Sequence, residues 1–267
     1  MRLLALTCAA TLAALPVRAE PAWDLLASEL FGDRPLVLAP EAIVIDSPYR
    51  SDNDARTRIA AEIDPPGDAR VSTVWLVLDD NPMPVSAIFA LAEPMPRFGF
   101  DVTMRVNGPM PLHVVAETED GALFVAETFV KTSGQGACSA PPGTDPDLAL
   151  ADLGRMDIAI TPRSDIAGRL AALSGDQRDQ LDIDIRHPSH SGLQMDQISL
   201  LFIPMRYIAD IGISLDGRDY VGVTGSISLS ENPRIGMTVP GGAQSVGVTM
   251  TDTDGTTTRA DKRLPGY

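Results

Sequence analysis

Residues 98–106 read Phe98-Gly99-Phe100-Asp101-Val102-Thr103-Met104-Arg105-Val106. Large apolar side chains fall on every second position, with Gly99, Asp101, Thr103 and Arg105 between them. A period of two is the pleat of a β-strand, and two unlike rows predict one buried face and one wet face. The surrounding sequence repeats the pattern. Val71–Leu78 is a β-branched and aromatic run ending in the turn Asp79-Asp80-Asn81-Pro82. Residues 112–118 and 122–131 flank Asp120-Gly121, a dipeptide that closes hairpins. Leu181, Ile183 and Ile185 then alternate with Asp182, Asp184 and Arg186. Strand patterns follow over 205–215, 220–229, 235–239 and 246–251, with Asp216-Gly217 and Asp254-Gly255 as further turns. Short strands joined by turns predict an all-β antiparallel sandwich or barrel and not a βαβ fold.

The alternation stops over 132–143. That stretch has no charge, three glycines and few large apolar groups, so it reads as a mobile loop. Residues 146–156 and 164–173 are helical by composition and are expected to be connecting pieces. A short amphipathic helix is expected to precede the strands, with Trp23, Leu26 and Leu30 at helical spacing and a stop near Gly32 and Pro35. The expected order is one sandwich over 20–140, a partly helical linker over 141–180 and a second sandwich over 181–267.

The chain of 267 residues is 44% hydrophobic and 21% charged, with mean hydropathy +0.05. That balance excludes a disordered chain and a polytopic membrane protein. The formal charge of −15 argues against nucleic acids and anionic membrane surfaces, whose phosphates call for basic patches. Residues 1–19 have the form of an export signal. Arg2 supplies the positive start, 3–15 an apolar run too short to span a bilayer, and Val17-Arg18-Ala19 a small-x-small cleavage site. Removal of 1–19, which holds two arginines and no acids, leaves 19 basic residues against 36 acidic, a charge of −17. No membrane insertion is expected after cleavage, and an exported chain of this kind is expected in the periplasm.

Cleavage also removes Cys8 and leaves Cys138 as the one cysteine, so no internal disulfide is available. A lone thiol in an oxidising compartment is buried, paired with a partner, or used. Cys138 lies in Ser133-Gly134-Gln135-Gly136-Ala137-Cys138-Ser139-Ala140. Small residues on both sides predict an accessible thiol on a movable arm. The nearest cation in sequence is Lys131, which offers little to lower the thiol pKa.

Other patterns carry less. His187 and His190 are three apart and with Cys138 have the residue types of a metal site, but Pro188 between them breaks a helix and favours a strand-end turn. A Cys–His hydrolase pairing Cys138 with His113 or His187 has no orienting motif. Gly134-x-Gly136 lacks the third glycine of a dinucleotide loop, and Asp252-x-Asp254-Gly255 places its glycine too early for a calcium loop. No catalytic group, metal or cofactor is therefore assigned.

Two sets of residues resemble known families. The second half is similar to SoxZ through His187-Pro188, Ser191-Gly192-Leu193, Asp196, Ile203-Pro204, Tyr207-Ile208, Ser228, Ser230-x-Asn232-Pro233 and Asp252-x-Asp254-Gly255. The first half is similar to SoxY through Pro82-x-Pro84-Val85, the alternating strand at 98–106, His113-Val114-Val115-Ala116-Glu117, and Val130-Lys131 leading into the cysteine segment. In this order they resemble the fused SoxYZ-like carriers associated with quinoprotein dehydrogenases. The resemblance implies two immunoglobulin-like sandwiches. It also implies a non-enzymatic carrier without a cofactor, whose cysteine holds sulfur intermediates while other enzymes process them. Cys138 would be the attachment point and Ser133, Gly134, Gln135, Gly136, Ala137, Ser139 and Ala140 its flexible arm. The implied partners are periplasmic redox or sulfur-processing enzymes, a quinoprotein dehydrogenase or a c-type cytochrome among them. One departure is plain: SoxY ends in a free Gly-Gly-Cys-Gly-Gly arm, whereas 129 residues follow Cys138, beginning with Ser139, Ala140 and Pro141. The alternative reading is a binding or assembly module for a quinoprotein dehydrogenase in which Cys138 is incidental.

Overall fold

A computed structural model describes residues 22–134, 136–143, 146–163 and 177–263. The expected export signal over 1–19 and the expected helix over 164–173 lie outside the described residues. Helix α1, Ala22–Phe31, belongs to a unit of its own over 1–33. Trp23, Leu26 and Leu30 are half-buried there, and Ala27 and Phe31 are buried. Among the described residues no helix is long and apolar enough to cross a membrane.

The unit over 34–267 is built from strands. Its first half supplies β1 (Leu36–Leu38), β2 (Ile43–Asp46), β3 (Thr57–Ile63), β4 (Val71–Leu78), β5 (Val85–Met95), β6 (Phe98–Met104), β7 (Met110–Thr118) and β8 (Leu123–Val130). A short helix, α2 (Pro146–Ala151), leads to β9 (Met156–Pro162). The second half supplies β10 (Arg178–Ile185), β11 (Ile208–Leu215), β12 (Arg218–Thr224), β13 (Arg234–Pro240), β14 (Ser245–Asp252) and β15 (Thr257–Arg263). The all-β class expected from the alternation is what forms.

The strands make two sheets. One has nine strands in the order β1-β8-β7-β4-β5-β12-β11-β14-β15, the other six in the order β2-β3-β6-β13-β10-β9. Both sheets run through both halves of the chain. In the larger, β5 pairs with β12, with Leu91 opposite Val221 and Ile88 opposite Thr224. In the smaller, β6 pairs with β13, with Val102 opposite Ile235 and Phe100 opposite Met237. Thr238 extends that second joint by accepting the Gly99 N–H at 2.9 Å.

One apolar core fills the space between the sheets, from Ile43 and Leu76 to Met237 and Met250. Phe89 of β5 stacks on Phe100 of β6 with ring centroids 4.7 Å apart, which ties the sheets together where the halves meet. Tyr220 of β12 reaches across to β13, its hydroxyl donating to the Thr238 carbonyl at 2.8 Å. Burying a ring of this size contributes about 2–3 kcal/mol each, so the joint is held by packing as well as by backbone pairing.

Two expectations are corrected. The segment 141–180 is not only a connector, because β9 pairs with β10 over its whole length, Pro162 opposite Asp179 through Met156 opposite Ile185. The row Gly99, Asp101, Thr103, Arg105 is not a wet face: Gly99, Thr103 and Arg105 are buried and Asp101 is half-buried. The Glu62 side chain lies over Gly99, the Ser230 hydroxyl bonds that of Thr103 at 2.8 Å, and the Ile227 and Leu229 carbonyls accept from Arg105, so side chains and a loop cover what a lone strand would leave to solvent.

Candidate functional site: the buried Cys138 turn

Cys138 sits in a single 3-10 turn, Ala137–Ser139. Gly136 leads into it at φ 76°, a left-handed conformation open to glycine at no steric cost. A Cβ there would also meet Ser139 Oγ at 3.2 Å. The turn is anchored on every side. Asn107 Oδ1 accepts the Cys138 N–H at 3.1 Å, and the Ser191 hydroxyl donates to the Cys138 carbonyl. Gln194 Nε2 donates to the Ala140 carbonyl at 3.0 Å, and Ser139 Oγ to the Gly136 carbonyl at 2.9 Å. Upstream, the Asp54 carboxylate accepts the Ser133 N–H at 2.8 Å and the Ser133 hydroxyl as well.

The expected open arm is therefore corrected. Ala137 is 4% exposed and Cys138 is fully buried at 0%. Ser133, Gly134, Gly136, Ser139 and Ala140 form a bonded segment, and Gln135 lies outside the described residues. Small residues permit mobility, but they also permit close packing. Here Asn107, Ser191 and Gln194 supply the anchors that the segment itself lacks.

The electrostatics also differ from expectation. Lys131 lies over the Tyr49 ring, 4.8 Å from its centroid. The cation that acts on the thiol is Arg105, just beyond β6 and only 2% exposed. Burial pushes the Cys138 thiol up from its ordinary value, and Arg105 pulls it part of the way back. Burial in turn lowers Arg105, while Cys138 and Glu231 favour its charged form. Half-buried His190 is pushed down by burial and by the Arg105 charge.

Two pockets border the turn. One of about 330 Å³ has Arg56, Arg105, Gln194 and Glu231 in its wall beside Ala137 and Ala140. The other, about 390 Å³, has Asp52, Asp54 and Ser133 beside the same alanines. One is lined by two guanidinium groups, the other by two carboxylates.

The histidines singled out in the sequence go elsewhere. His187 is buried, accepts the Ser189 N–H on Nδ1 at 2.9 Å and turns Nε2 to Asp252 Oδ2 at 3.4 Å. Burial outweighs Asp252 and lowers its pKa to about 4, so the ring is neutral. His113 sits between Asp79, at 2.9 Å, and Glu127, at 3.2 Å. Neither imidazole bonds the Cys138 thiol, so the Cys–His hydrolase geometry is not formed. Among the described residues, no group of three His, Cys, Asp or Glu side chains is placed to hold a metal ion.

The loop after Ser191 is unusually apolar for a surface. Ile198 is 94% exposed, with Leu200, Leu201 and Phe202 each about two-thirds exposed. Asp196 Oδ1 accepts the N–H groups of Ile198 and Ser199 at 3.1 and 2.6 Å, and Leu200 takes a left-handed φ of 58°. The loop is held open by bonds and strain, not left loose.

A two-sheet β protein that presents one buried thiol on an anchored turn is the class that fold and site define. Sequence models of two families match it: sulfur oxidation protein SoxY over residues 27–138, and sulphur oxidation protein SoxZ over 170–263. The chain carries a SoxY-family domain followed in tandem by a SoxZ-family domain. The SoxY match ends at Cys138 itself. Among solved structures, one similar to this chain is that of the sulfur carrier protein SoxY from Chlorobium limicola f thiosulfatophilum. It is 22% identical, covers 41% of this chain and 90% of its own, and superposes with a TM-score of 0.33. No match was found among curated proteins. Arg105, Asn107, Ser191 and Gln194 are the site residues that sequence reasoning missed. Ser191 stood in a quoted SoxZ-like motif and Arg105 in the quoted SoxY-like strand, and those were the available signals.

Proposed function

We propose that the chain is an exported, periplasmic carrier that holds sulfur intermediates covalently on Cys138, in sulfur-compound oxidation or beside a quinoprotein dehydrogenase. The observation that carries this reading is the tandem family match, which places Cys138 at the last residue of the SoxY-like part. The SoxZ-like part then bonds that cysteine through Ser191. The thiolate is the form that attacks a donor sulfur, and among the described residues no side chain is hydrogen-bonded to the Cys138 thiol as a general base; in this reading processing belongs to partner enzymes. In this reading the described structure is the resting state. A partner displaces the anchors at Asn107, Ser191 and Gln194 and exposes the thiol. The apolar loop around Ile198 and Phe202, joined to the cysteine turn through Gln194, gives such a partner a surface of the kind that marks protein interfaces. With a formal charge of −15, a partner with a basic rim is steered toward the carrier. The domain limits 20–140 and 181–267 belong to the same proposal, with the segment between them contributing β9 to the smaller sheet.

The test is intact mass of the protein recovered from its native compartment, together with a Cys138→Ser strain. Persulfide or sulfonate adducts on Cys138 and loss of sulfur-compound oxidation in the mutant are expected. An unmodified thiol with unchanged oxidation in the mutant favours the assembly-module reading.

A further inference from the structure

We propose that the pocket walled by Arg105 is an oxyanion site for the sulfonate end of a sulfur group attached to Cys138. The inference rests on the reading of Cys138 as the attachment point and names the chemical class that the site accepts.

Arg105 is 2% exposed, and among the described residues its guanidinium makes no ion pair with a carboxylate. One terminal nitrogen donates to the carbonyls of Ile227, at 3.3 Å, and Leu229, at 2.5 Å. The Nε–H and the second amino group make no hydrogen bond among the described residues. A buried charge of this kind is normally paired, because its desolvation is otherwise uncompensated. The open donors belong to a residue that lines the pocket of about 330 Å³. Ala137 and Ala140, on either side of the cysteine, line the same space. Two guanidinium donors on adjacent nitrogens match two oxygens of one oxyanion.

Other residues fit the same reading. Arg56 holds the rim, its guanidinium donating to the carbonyls of Glu231 and Asn232 at 2.9 and 2.7 Å. Glu231 is the opposing charge, and its carboxylate is engaged by the Gly143 N–H at 2.7 Å. The neighbouring pocket, with Asp52 and Asp54, repels the same anion. Beside a neutral thiol the opposing charge that acts on Arg105 is Glu231, whose carboxylate is already bonded by Gly143; a Cys138 bearing a terminal sulfonate offers oxygens to the open donors.

The experiment compares an anionic with a neutral reagent on the full chain. With tetrathionate, the Cys138 thiolate attacks a central sulfur and forms a new S–S bond. The old central S–S bond breaks and thiosulfate leaves with the electron pair, so Cys138 gains an S-thiosulfonate while tetrathionate is the oxidant. Methyl methanethiosulfonate forms a neutral methyl disulfide and releases methanesulfinate. The readout is the ratio of the two rate constants. In the native protein it is expected to stand about tenfold above the ratio in the urea-unfolded chain, against the trend set by a net charge of −15. Arg105→Gln should remove most of that gain and Arg105→Lys should keep part of it. If Arg105→Gln does not fold, the native-to-unfolded comparison of the unaltered chain decides alone. Equal ratios in the two states, or a native ratio unmoved by Arg105→Gln, overturn the oxyanion site while leaving a reactive carrier cysteine. A native Cys138 inert to both reagents while the unfolded chain reacts with both overturns the oxyanion site, because no anion is drawn to the thiol, and leaves the carrier reading to the intact-mass test.

Discussion

The Ser191 hydroxyl donates to the carbonyl oxygen of Cys138, 53 residues earlier in the chain. Ser191 is itself positioned by Gln194, whose Oε1 accepts its N–H at 3.2 Å while Nε2 holds the Ala140 carbonyl. The last residue of the SoxY-like match is thus held by a loop of the SoxZ-like half. Opening the cysteine turn therefore requires releasing its bonds to the SoxZ-like loop.

Ser191→Ala should therefore loosen the turn. Loss of one buried hydrogen bond corresponds to about 1 kcal/mol, or about a fivefold increase in the population that opens locally. Alkylation of native Cys138 by iodoacetamide should speed up by that factor with an unchanged circular dichroism spectrum. A rate equal to that of the unaltered protein would place the opening elsewhere.

The pH profile of that alkylation is a second check. Burial raises the thiol pKa, so the thiolate fraction at neutral pH is lower than for a free cysteine, and the rate should still be climbing above pH 9. Arg105→Gln removes the opposing charge and should move the profile further up. A profile that levels off near pH 8 would contradict the buried thiol.

His187 gives a third, at acid pH. Its folded pKa of about 4 lies below the ordinary value of 6.5, so between these limits the unfolded chain binds the extra proton. Stability should fall as pH drops from about 6.5 toward 4. Burial works against the Asp252 carboxylate, but Arg206 and backbone bonds leave its pKa lowered, so its own loss comes at still lower pH. Urea midpoints across this window should decline less steeply in His187→Gln than in the unaltered chain; equal slopes would remove His187 as the cause.

The sheet joints predict the outcome of cutting the chain. β5 with β12, β6 with β13 and β9 with β10 pair across any cleavage between 163 and 177. A protease site placed there should yield two fragments that co-elute in gel filtration and separate only in denaturant. Fragments that part in buffer would mean that the covalent connection, not the pairing, holds the halves together.

Much of the fold was legible because strand periodicity is local. Val71–Leu78 is the same segment by sequence pattern and by backbone pairing. The alternation from Leu181 to Ile185 runs three residues further back, to Arg178. β1, β2, β3, β5, β9 and β15 went unread, β5 among them although it is eleven residues long. β3 carries Ala60 and Ala61 among its buried positions, which blurs a period of two, and β9 lies in a stretch whose composition favours helix. The cysteine could be singled out by counting. Its burial could not, because Asn107, Ser191 and Gln194 lie 31, 53 and 56 residues away in sequence. Arg105 was read as a solvent-facing member of an alternating strand. Its bonds to the Ile227 and Leu229 carbonyls, more than 120 residues away in sequence, show what covers it.

The way the sheets end has a consequence for how other proteins can bind. The outer strands are β1 and β15 in one sheet and β2 and β9 in the other. β1 and β2 are three and four residues long, and β9 stops at Pro162. β15 carries Arg259, Asp261, Lys262 and Arg263, and the Lys262 amino group bonds the Ile158 carbonyl of β9, tying the two margins on that side. Short, charged and proline-ended margins offer little backbone for a visiting peptide to continue as a further strand. A visitor must then recognise this protein through side chains and the sulfur it carries.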